Sequence, residues 1–181
     1  GTLWLNIGDS YYNYRSDGNY PKQTVSKTRQ DLPTKTPVRG NKLEGYKSKD
    51  LIGIPWLLAF ALRKDGWYLR QDIIWNKPNP MPESVKDRCT KSHEYIFLLS
   101  KSKNYYYDNE AIKEPTKESE TGSYSGVAKG NTTKNKRSVW TVNKKPYKGA
   151  HFATFPSELI EPCIKAGSQK GDIILDPFIG S

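Results

Sequence analysis

The chain has 181 residues, a length typical of one domain, so we expect a single domain over residues 1–181. No apolar run approaches the roughly 18 residues of a membrane-spanning helix, and no basic-then-apolar leader opens the sequence. We therefore expect no membrane partner and no secretory targeting. The two cysteines, Cys89 and Cys163, are too few for a disulfide framework or a zinc site, and they favour a reducing compartment.

Positive charge is concentrated in two segments. The chain carries 29 Lys and Arg against 19 Asp and Glu, a net charge of +10. Residues 15–49 and residues 111–148 each hold nine basic and three acidic side chains, and the remainder is nearly neutral. Both segments lack apolar periodicity, so we expect two long basic loops. Their charge favours a polyanionic partner, nucleic acid before membrane, with two solvated loops as the alternative.

Outside these loops, apolar strands alternate with amphipathic helices, which indicates an α/β fold. Pro55 suits the first turn of a helix, and Gly66 and Gly167 are typical of helix ends. In chain order the pattern predicts a strand over 1–7, a helix over 49–64, strands over 67–75 and 94–100, a short strand over 105–107, a helix over 156–166 and a buried strand over 173–175.

The last predicted strand runs into Asp176, then a proline, an aromatic residue and a Gly-Ser pair. Ligands of open α/β sheets bind beyond the carboxyl ends of the strands, and Gly180 would let a ligand approach the backbone closely. Taken alone, however, the Asp-Pro-Phe-x-Gly-Ser loop favours a tight turn over a binding site.

Three stretches together carry a family resemblance. They read GTLWLNIGDSYY at the start, WYLRQDIIWNKPNPMPESVKDRCTKSHEYIFLLSKSKNYYYD over 67–108 and SVWTVNKKPYKGAHFATFPSELIEPCIKAGSQKGDIILDPFIGS over 138–181. The order of their motifs resembles the amino-methylating DNA methyltransferases in which the catalytic half precedes the cofactor half. The resemblance covers everything outside the two basic loops, and the ordered set is far more specific than any one motif.

The resemblance implies a function and a fold. The function is methyl transfer from S-adenosylmethionine to the exocyclic amine of cytosine or adenine in double-stranded DNA, as in restriction-modification, with cytosine favoured. The fold is part of a Rossmann-like S-adenosylmethionine-dependent methyltransferase sheet with long basic loops. A cytoplasmic, prokaryotic or phage-type setting follows from the same resemblance.

The family's catalytic loop, an Asp, Asn or Ser followed by Pro-Pro and an aromatic residue, has no match here, because the sequence contains no Pro-Pro pair. The nearest candidates to the target base are Asn6 and Asp9, although Gly8-Asp9-Ser10 also suits a plain turn. The chain looks cut at both ends, so we expect it to be inactive alone. A non-catalytic DNA-binding module is the alternative function, and an α/β domain that meets no nucleic acid is a third.

The resemblance also assigns cofactor-binding residues. The loop after the last strand supplies one wall of the S-adenosylmethionine pocket, and the start of the preceding helix supplies the other. A surface or helix-capping position is the alternative for the histidine of this set. The residues are Asp176, Phe178, Gly180, Ser181, His151, Thr154, Phe155 and Pro156.

DNA-binding candidates fall in two places. A proline-stiffened loop after Trp75 can lay cations and amides along a phosphate backbone, and the segment 111–148 matches the family's target-recognition region. Tyr124 and Trp140 are candidate base-stacking residues in that segment. Glu94 is expected to pair with Arg88 or His93, and His93-Glu94 has no metal-chelating spacing. The candidates are Lys77, Asn79, Ser84, Arg88, Lys91, His93, Lys134, Lys136 and Arg137.

Overall fold

A computed structural model describes residues 1–12, 43–116, 132–144 and 155–178 of the chain. No helix within these ranges has the length and apolar character needed to cross a membrane. The elements are strands β1 (Thr2–Ile7), β2 (Tyr68–Asn76), β3 (His93–Ser100), β4 (Glu114–Pro115), β5 (Thr133–Lys134) and β6 (Val139–Thr141), and helices α1 (Ile54–Lys64) and α2 (Ser157–Gly167).

The chain divides into two compact units, Gly1–Gly8 with Pro55–Ser181, and Asp9–Ile54. In the smaller unit, the Asp9 carboxylate accepts the backbone N–H groups of Gly53 and Ile54, both at 3.0 Å. The predicted helix start at residue 49 is wrong, because Lys49 and Gly53 have φ angles of +77° and +78°, which a right-handed helix excludes.

Four strands of the larger unit form one mixed sheet in the order β1-β3-β2-β6. β3 is antiparallel to both of its neighbours, and β2 is parallel to β6. The last residues of β1, β2 and β6 therefore lie at the same edge of the sheet as the first residue of β3. We call this the carboxyl edge and its opposite the amino edge. The predicted α/β class is confirmed at this level, as a mixed sheet with helices.

Alternation along the strands gives the sheet two apolar faces. On one face, Ile73 and Ile96 belong to a buried cluster with Leu159 of α2. On the other, Phe97 and Leu99 pack with α1 in a second buried cluster. Burying side chains of this size stabilises the fold by about 2 kcal/mol each.

A β-bulge in β2 lets its two halves place apolar side chains on opposite faces of the sheet. The register with β3 shifts between Leu69 and Gln71, so Arg70 has no partner residue across the strands. Leu69 packs in the cluster on the α1 side, whereas Ile73 lies in the cluster on the α2 side. The extra residue changes which face the following side chains occupy.

Helix α2 packs closely on β1 through a glycine. A Cβ atom at Gly167 would lie 2.6 Å from Thr2 Oγ1 and 2.7 Å from Trp4 Nε1. The sequence predicts Gly167 as a helix end, and it is the last helical residue. Its φ is not positive, so the glycine is required here by close packing.

The described parts of segment 111–148 are more ordered than the expected loop. Residues 139–141 form β6, where Trp75 of β2 pairs with Trp140. Trp140 is buried, and its indole N–H donates to the Arg137 carbonyl at 2.7 Å. The expectation that Trp140 stacks on a base is therefore wrong, while Tyr124 lies outside the described residues.

Two predicted strands are absent from the described part of the chain. Residues 105–107 form no strand, although Tyr107 stacks on Trp4 with ring centroids 6.4 Å apart. Residues 173–175 pair with no described strand, and Ile173 is 97% exposed. An apolar tripeptide becomes a buried strand only when a neighbouring strand takes up its backbone hydrogen bonds, so the prediction from composition alone was wrong here.

Candidate functional site

Three polar motif residues meet at the carboxyl edge of the sheet. Asn6 lies at the end of β1, Lys77 directly follows β2, and Glu94 is the second residue of β3. Hydrogen bonds or ion pairs join Glu94 to both of the others. Asn6, from the first strand, and Lys77 and Glu94, from the stretch 67–108, thus form one connected group where strands end.

Lys77 is the buried member of this group. It is 7% exposed, its ammonium forms an ion pair with Glu94, and Nζ lies 4.1 Å from the centroid of the Trp75 ring. Its backbone N–H donates to the Ser92 carbonyl at 2.7 Å. The sequence predicts Lys77 on an exposed phosphate-binding loop, but the structure places its side chain inside, because a carboxylate and an aromatic face both attract its charge.

Glu94 connects Lys77 to Asn6. The predicted pairing of Glu94 with Arg88 or His93 is wrong. Glu94 Oε1 pairs with Lys77, and Oε2 accepts a hydrogen bond from Asn6 Nδ2 at 3.3 Å. Asn6 Nδ2 also donates to the carbonyl of Tyr95 at 2.9 Å. Asn6 is exposed, so this network runs from the buried Lys77 to the surface of the carboxyl edge.

A second set of contacts fixes the chain beyond β2 to the chain beyond β6. The Asn79 side chain donates to the Lys144 carbonyl at 3.1 Å and accepts the Lys144 N–H at 3.0 Å. Asn76 Nδ2 donates to Thr141 Oγ1 at 3.2 Å. The Asn79 amide is thus engaged in holding these segments together, although it was predicted as a DNA contact.

The other candidates between β2 and the start of β3 are more accessible than Lys77. Arg88 forms an ion pair with Glu83 and donates to the Cys89 carbonyl at 3.2 Å. Ser84 is exposed, while Lys91 is half-buried. His93 is also half-buried, with its ring edge-on to Tyr95 and the centroids 5.4 Å apart.

The three basic candidates of segment 111–148 have different surroundings. Lys134 Nζ lies 3.5 Å from Glu114 Oε1, and its side chain is 9% exposed. Lys136 Nζ lies 5.0 Å from the centroid of the Trp140 ring. Arg137 is exposed. They therefore do not offer three equivalent charges to a ligand.

Four of the eight predicted cofactor residues are described. Asp176 Oδ1 accepts the backbone N–H of Phe178 at 2.9 Å, which closes a turn, and the Phe178 side chain is 87% exposed. Phe155 is exposed, and Pro156 is the buried N-cap residue of α2. The other four, Gly180, Ser181, His151 and Thr154, lie outside the described residues. That 151–156 faces 176–181 stays a prediction.

Asp9, the other candidate near the target base, accepts the backbone N–H groups of Gly53 and Ile54 within its own unit. Sequence reasoning missed this contact and the pairing of Lys77 with Glu94. A signal for the pairing existed, since a lysine just after one strand and a glutamate at the start of the next are the expected neighbours in an antiparallel pair.

Comparisons with known proteins bear on this site. A model of the DNA methylase family, which covers N6- and N4-methyltransferases, matches residues 1–181. The Type II methyltransferase M.Cfr9I of Citrobacter freundii is 55% identical over 100% of this chain and 54% of its own length. M.XycI of Xanthomonas campestris pv. cyanopsidis and M.SmaI of Serratia marcescens, also Type II methyltransferases, are 52% identical over 100% of this chain and 54% and 56% of their own lengths. The chain thus spans about half the length of these relatives.

Proposed function

The chain belongs to the DNA methylase family of amino-methylating enzymes, and on that premise we propose that it is part of a DNA methyltransferase. The reaction moves a methyl group from S-adenosylmethionine to the exocyclic amine of cytosine or adenine in duplex DNA. The sheet is then part of a Rossmann-like methyltransferase fold.

The observation that carries this proposal is the assembly of Asn6, Lys77 and Glu94 at the carboxyl edge. Ligands of open α/β sheets bind at that edge. A base must leave the double helix before it can be methylated, and it then meets hydrogen-bonding groups that recognise its edge. The network supplies such groups at the surface, fixed by contacts beneath them.

The described cofactor residues fit S-adenosylmethionine in one respect. The exposed ring of Phe178 offers apolar area for an adenosyl group to cover, and the Asp176 turn fixes the backbone that carries it. Together with Phe155 and the other matched residues, this loop would hold the cofactor. When bound, S-adenosylmethionine supplies the electrophilic methyl group.

An exposed cation and a hydroxyl next to the carboxyl edge suit a DNA backbone. The Lys144 side chain is exposed while its backbone is held by Asn79, and Ser84 adds a hydroxyl on the proline-rich loop. Phosphate contacts of this kind set the position of the duplex without reading its sequence. We place the DNA across this edge, with the segment 111–148 as the target-recognition region.

A non-catalytic DNA-binding module is the second candidate for these 181 residues by themselves, because they contain no Pro-Pro-aromatic motif. Two measurements on the purified chain separate the possibilities. Fluorescence anisotropy with a labelled duplex is expected to show binding that weakens with salt. Transfer of a labelled methyl group from S-adenosylmethionine to that duplex is expected to be absent. Absence of duplex binding would overturn the DNA placement, and methyl transfer would overturn the assignment of the isolated chain as inactive.

A further inference from the structure

We propose that Met81 enters the base stack of the bound duplex and fills the space that an extruded base leaves. This inference rests on the proposed function, in which a base leaves the double helix before it reacts. It adds an apolar contact to the polar and charged DNA contacts predicted for the loop between β2 and β3, residues 77–92.

Met81 is the most exposed large apolar side chain among the described residues that precede 173. It is 74% exposed, and Val139 follows at 58%. Exposed apolar atoms are common on protein surfaces, so exposure alone assigns no role to a side chain. Met81 differs from an ordinary exposed residue in how firmly the chain around it is held.

Two prolines restrict the backbone on either side of Met81. Pro80 precedes it and Pro82 follows it. Each proline ring fixes its own φ, and a residue that precedes a proline is kept out of the helical region by the ring. Asn79 and Met81 both precede a proline, so residues 79–82 have little conformational freedom. A ligand that binds here therefore loses little affinity to the ordering of this segment.

Side-chain contacts anchor the loop before and after Met81. Two residues before it, the Asn79 side chain donates to the Lys144 carbonyl at 3.1 Å and accepts the Lys144 N–H at 3.0 Å. Two residues after it, Glu83 forms an ion pair with Arg88. The loop thus carries an exposed thioether on a braced backbone.

The loop lies where the DNA is placed. Lys77 directly follows β2, and its backbone N–H donates to the carbonyl of Ser92, the residue before β3, at 2.7 Å. Both ends of the loop are therefore at the carboxyl edge. The Lys144 side chain is exposed, and its backbone is bonded to Asn79. A phosphate held by Lys144 would bring the duplex close to Met81.

The shape and chemistry of Met81 fit the space between two bases. Proteins that open a base step insert a single apolar side chain, methionine among them, and pay for the unstacking with new contacts. The thioether is polarisable and makes favourable contacts with aromatic rings. A protein partner needs a wider apolar area, whereas the loop continues after Met81 with the polar residues Glu83 and Ser84.

The first test compares two labelled duplexes that differ at one central position. One duplex is intact, and in the other a tetrahydrofuran abasic residue replaces a base, so that the stack is already open. We expect the full 181-residue chain to bind the abasic duplex about tenfold more tightly, as burial of one methionine side chain would give. Met81→Ala should bring this ratio to about one, and Met81→Leu should keep most of it.

Two controls separate this contact from a general loss of structure. Leu57→Ala removes a side chain that is 53% exposed on α1 and should keep the full ratio. Met81→Ala should also leave the salt dependence of binding to the intact duplex unchanged, because an apolar contact releases no counterions. A changed salt slope in Met81→Ala would mean that the variant disturbs the phosphate contacts, and this would contradict the assigned role.

The second test observes the side chain itself. Met81 is the one methionine of the 181 residues, so a chain labelled with ¹³C-methyl methionine has a single labelled methyl resonance. Bases above and below the methyl group should shift this resonance upfield when the abasic duplex is added, because their ring currents shield it. A resonance that does not move in the bound complex would overturn the inference.

The outcomes distinguish this inference from the proposed function. Equal binding of the two duplexes by the unaltered chain, or a preference for the abasic duplex that survives in Met81→Ala, would overturn the role of Met81 alone. Failure to bind either duplex would remove the placement of DNA at the carboxyl edge as well.

Discussion

The Lys77 ammonium lies 4.1 Å above the ring of Trp75 and pairs with Glu94, so a cation is held inside the end of the sheet. Lys77 is 7% exposed and the Glu94 side chain 27%. A buried charge that loses its partner is costly, whereas replacing both partners with uncharged groups costs much less.

The first prediction concerns this ion pair and protein stability. Glu94→Gln should lower the free energy of unfolding by about 2 kcal/mol, since it leaves the buried ammonium unpaired. Lys77→Met should cost less, because the remaining carboxylate is nearer to water. Urea unfolding of both single variants and the double variant measures the coupling. A loss of stability in the double variant equal to the sum of the two single losses would contradict the pairing.

The second prediction concerns the contact between α2 and β1. Gly167→Ala should destabilise the protein by about 1–3 kcal/mol, because the new Cβ would overlap Thr2 Oγ1 and Trp4 Nε1. Helix propensity alone predicts the opposite sign. Gly8→Ala is the control, since nothing lies within 4 Å of the position of its added Cβ. A melting temperature for Gly167→Ala at or above that of the unaltered protein would refute the packing.

The third prediction concerns the two thiols. Burial raises the pKa of Cys163 to about 12, whereas Cys89 is exposed. Since a thiolate is the reactive form, the rise from 9.0 lowers the reactive fraction of Cys163 about a thousandfold. A thiol reagent at neutral pH should therefore modify Cys89 first, as peptide mass spectrometry would show. Equal labelling of both thiols in the folded chain would contradict this burial.

The same shift predicts a pH dependence of stability. The folded thiol keeps its proton up to about pH 12, while the unfolded thiol loses it near 9.0. The unfolded state therefore binds fewer protons in this interval, and the free energy of unfolding should fall as pH rises through it. Cys163→Ala should remove that part of the slope, and an unchanged slope would count against the assignment.

The fourth prediction concerns DNA binding at the carboxyl edge. Lys144→Gln should reduce the slope of log affinity against log salt by about one, as the loss of one phosphate contact does. Lys64→Gln, at the end of α1 near the amino edge, removes the same charge and should leave the slope unchanged. Equal effects of the two variants would mean that binding follows net charge and not this edge.

The sequence predicts the sheet well where periodicity is strong. β1, β2, β3 and α2 agree with the expected elements to within one or two residues, because alternating or helically spaced apolar residues determine which face is buried. The start of α1 was misplaced, because the positive φ angles of Lys49 and Gly53 leave no trace in hydrophobic spacing.

The surroundings of individual side chains were harder to predict than the helices and strands. The charge of Lys77 suggested a surface position, and only its position opposite Glu94 and above Trp75 explains its burial. Trp140 was expected at the surface, and nothing in the sequence indicated its burial. The strand that carries it, β6, has only three residues, too few for an alternating pattern to be recognised. Both errors arise from contacts that form only when the chain folds, of Lys77 with Glu94 and of Trp140 with Trp75.

Amine methylation by a chimera tests the central claim most directly. In this chimera, the 181 residues replace the matched region of M.Cfr9I, which is 55% identical to them and supplies the remaining length. We predict that mass spectrometry of nucleosides from treated duplex DNA will show N4-methylcytosine or N6-methyladenine, with unaltered M.Cfr9I as the positive control. A chimera that folds and binds the duplex but forms neither nucleoside would contradict the account.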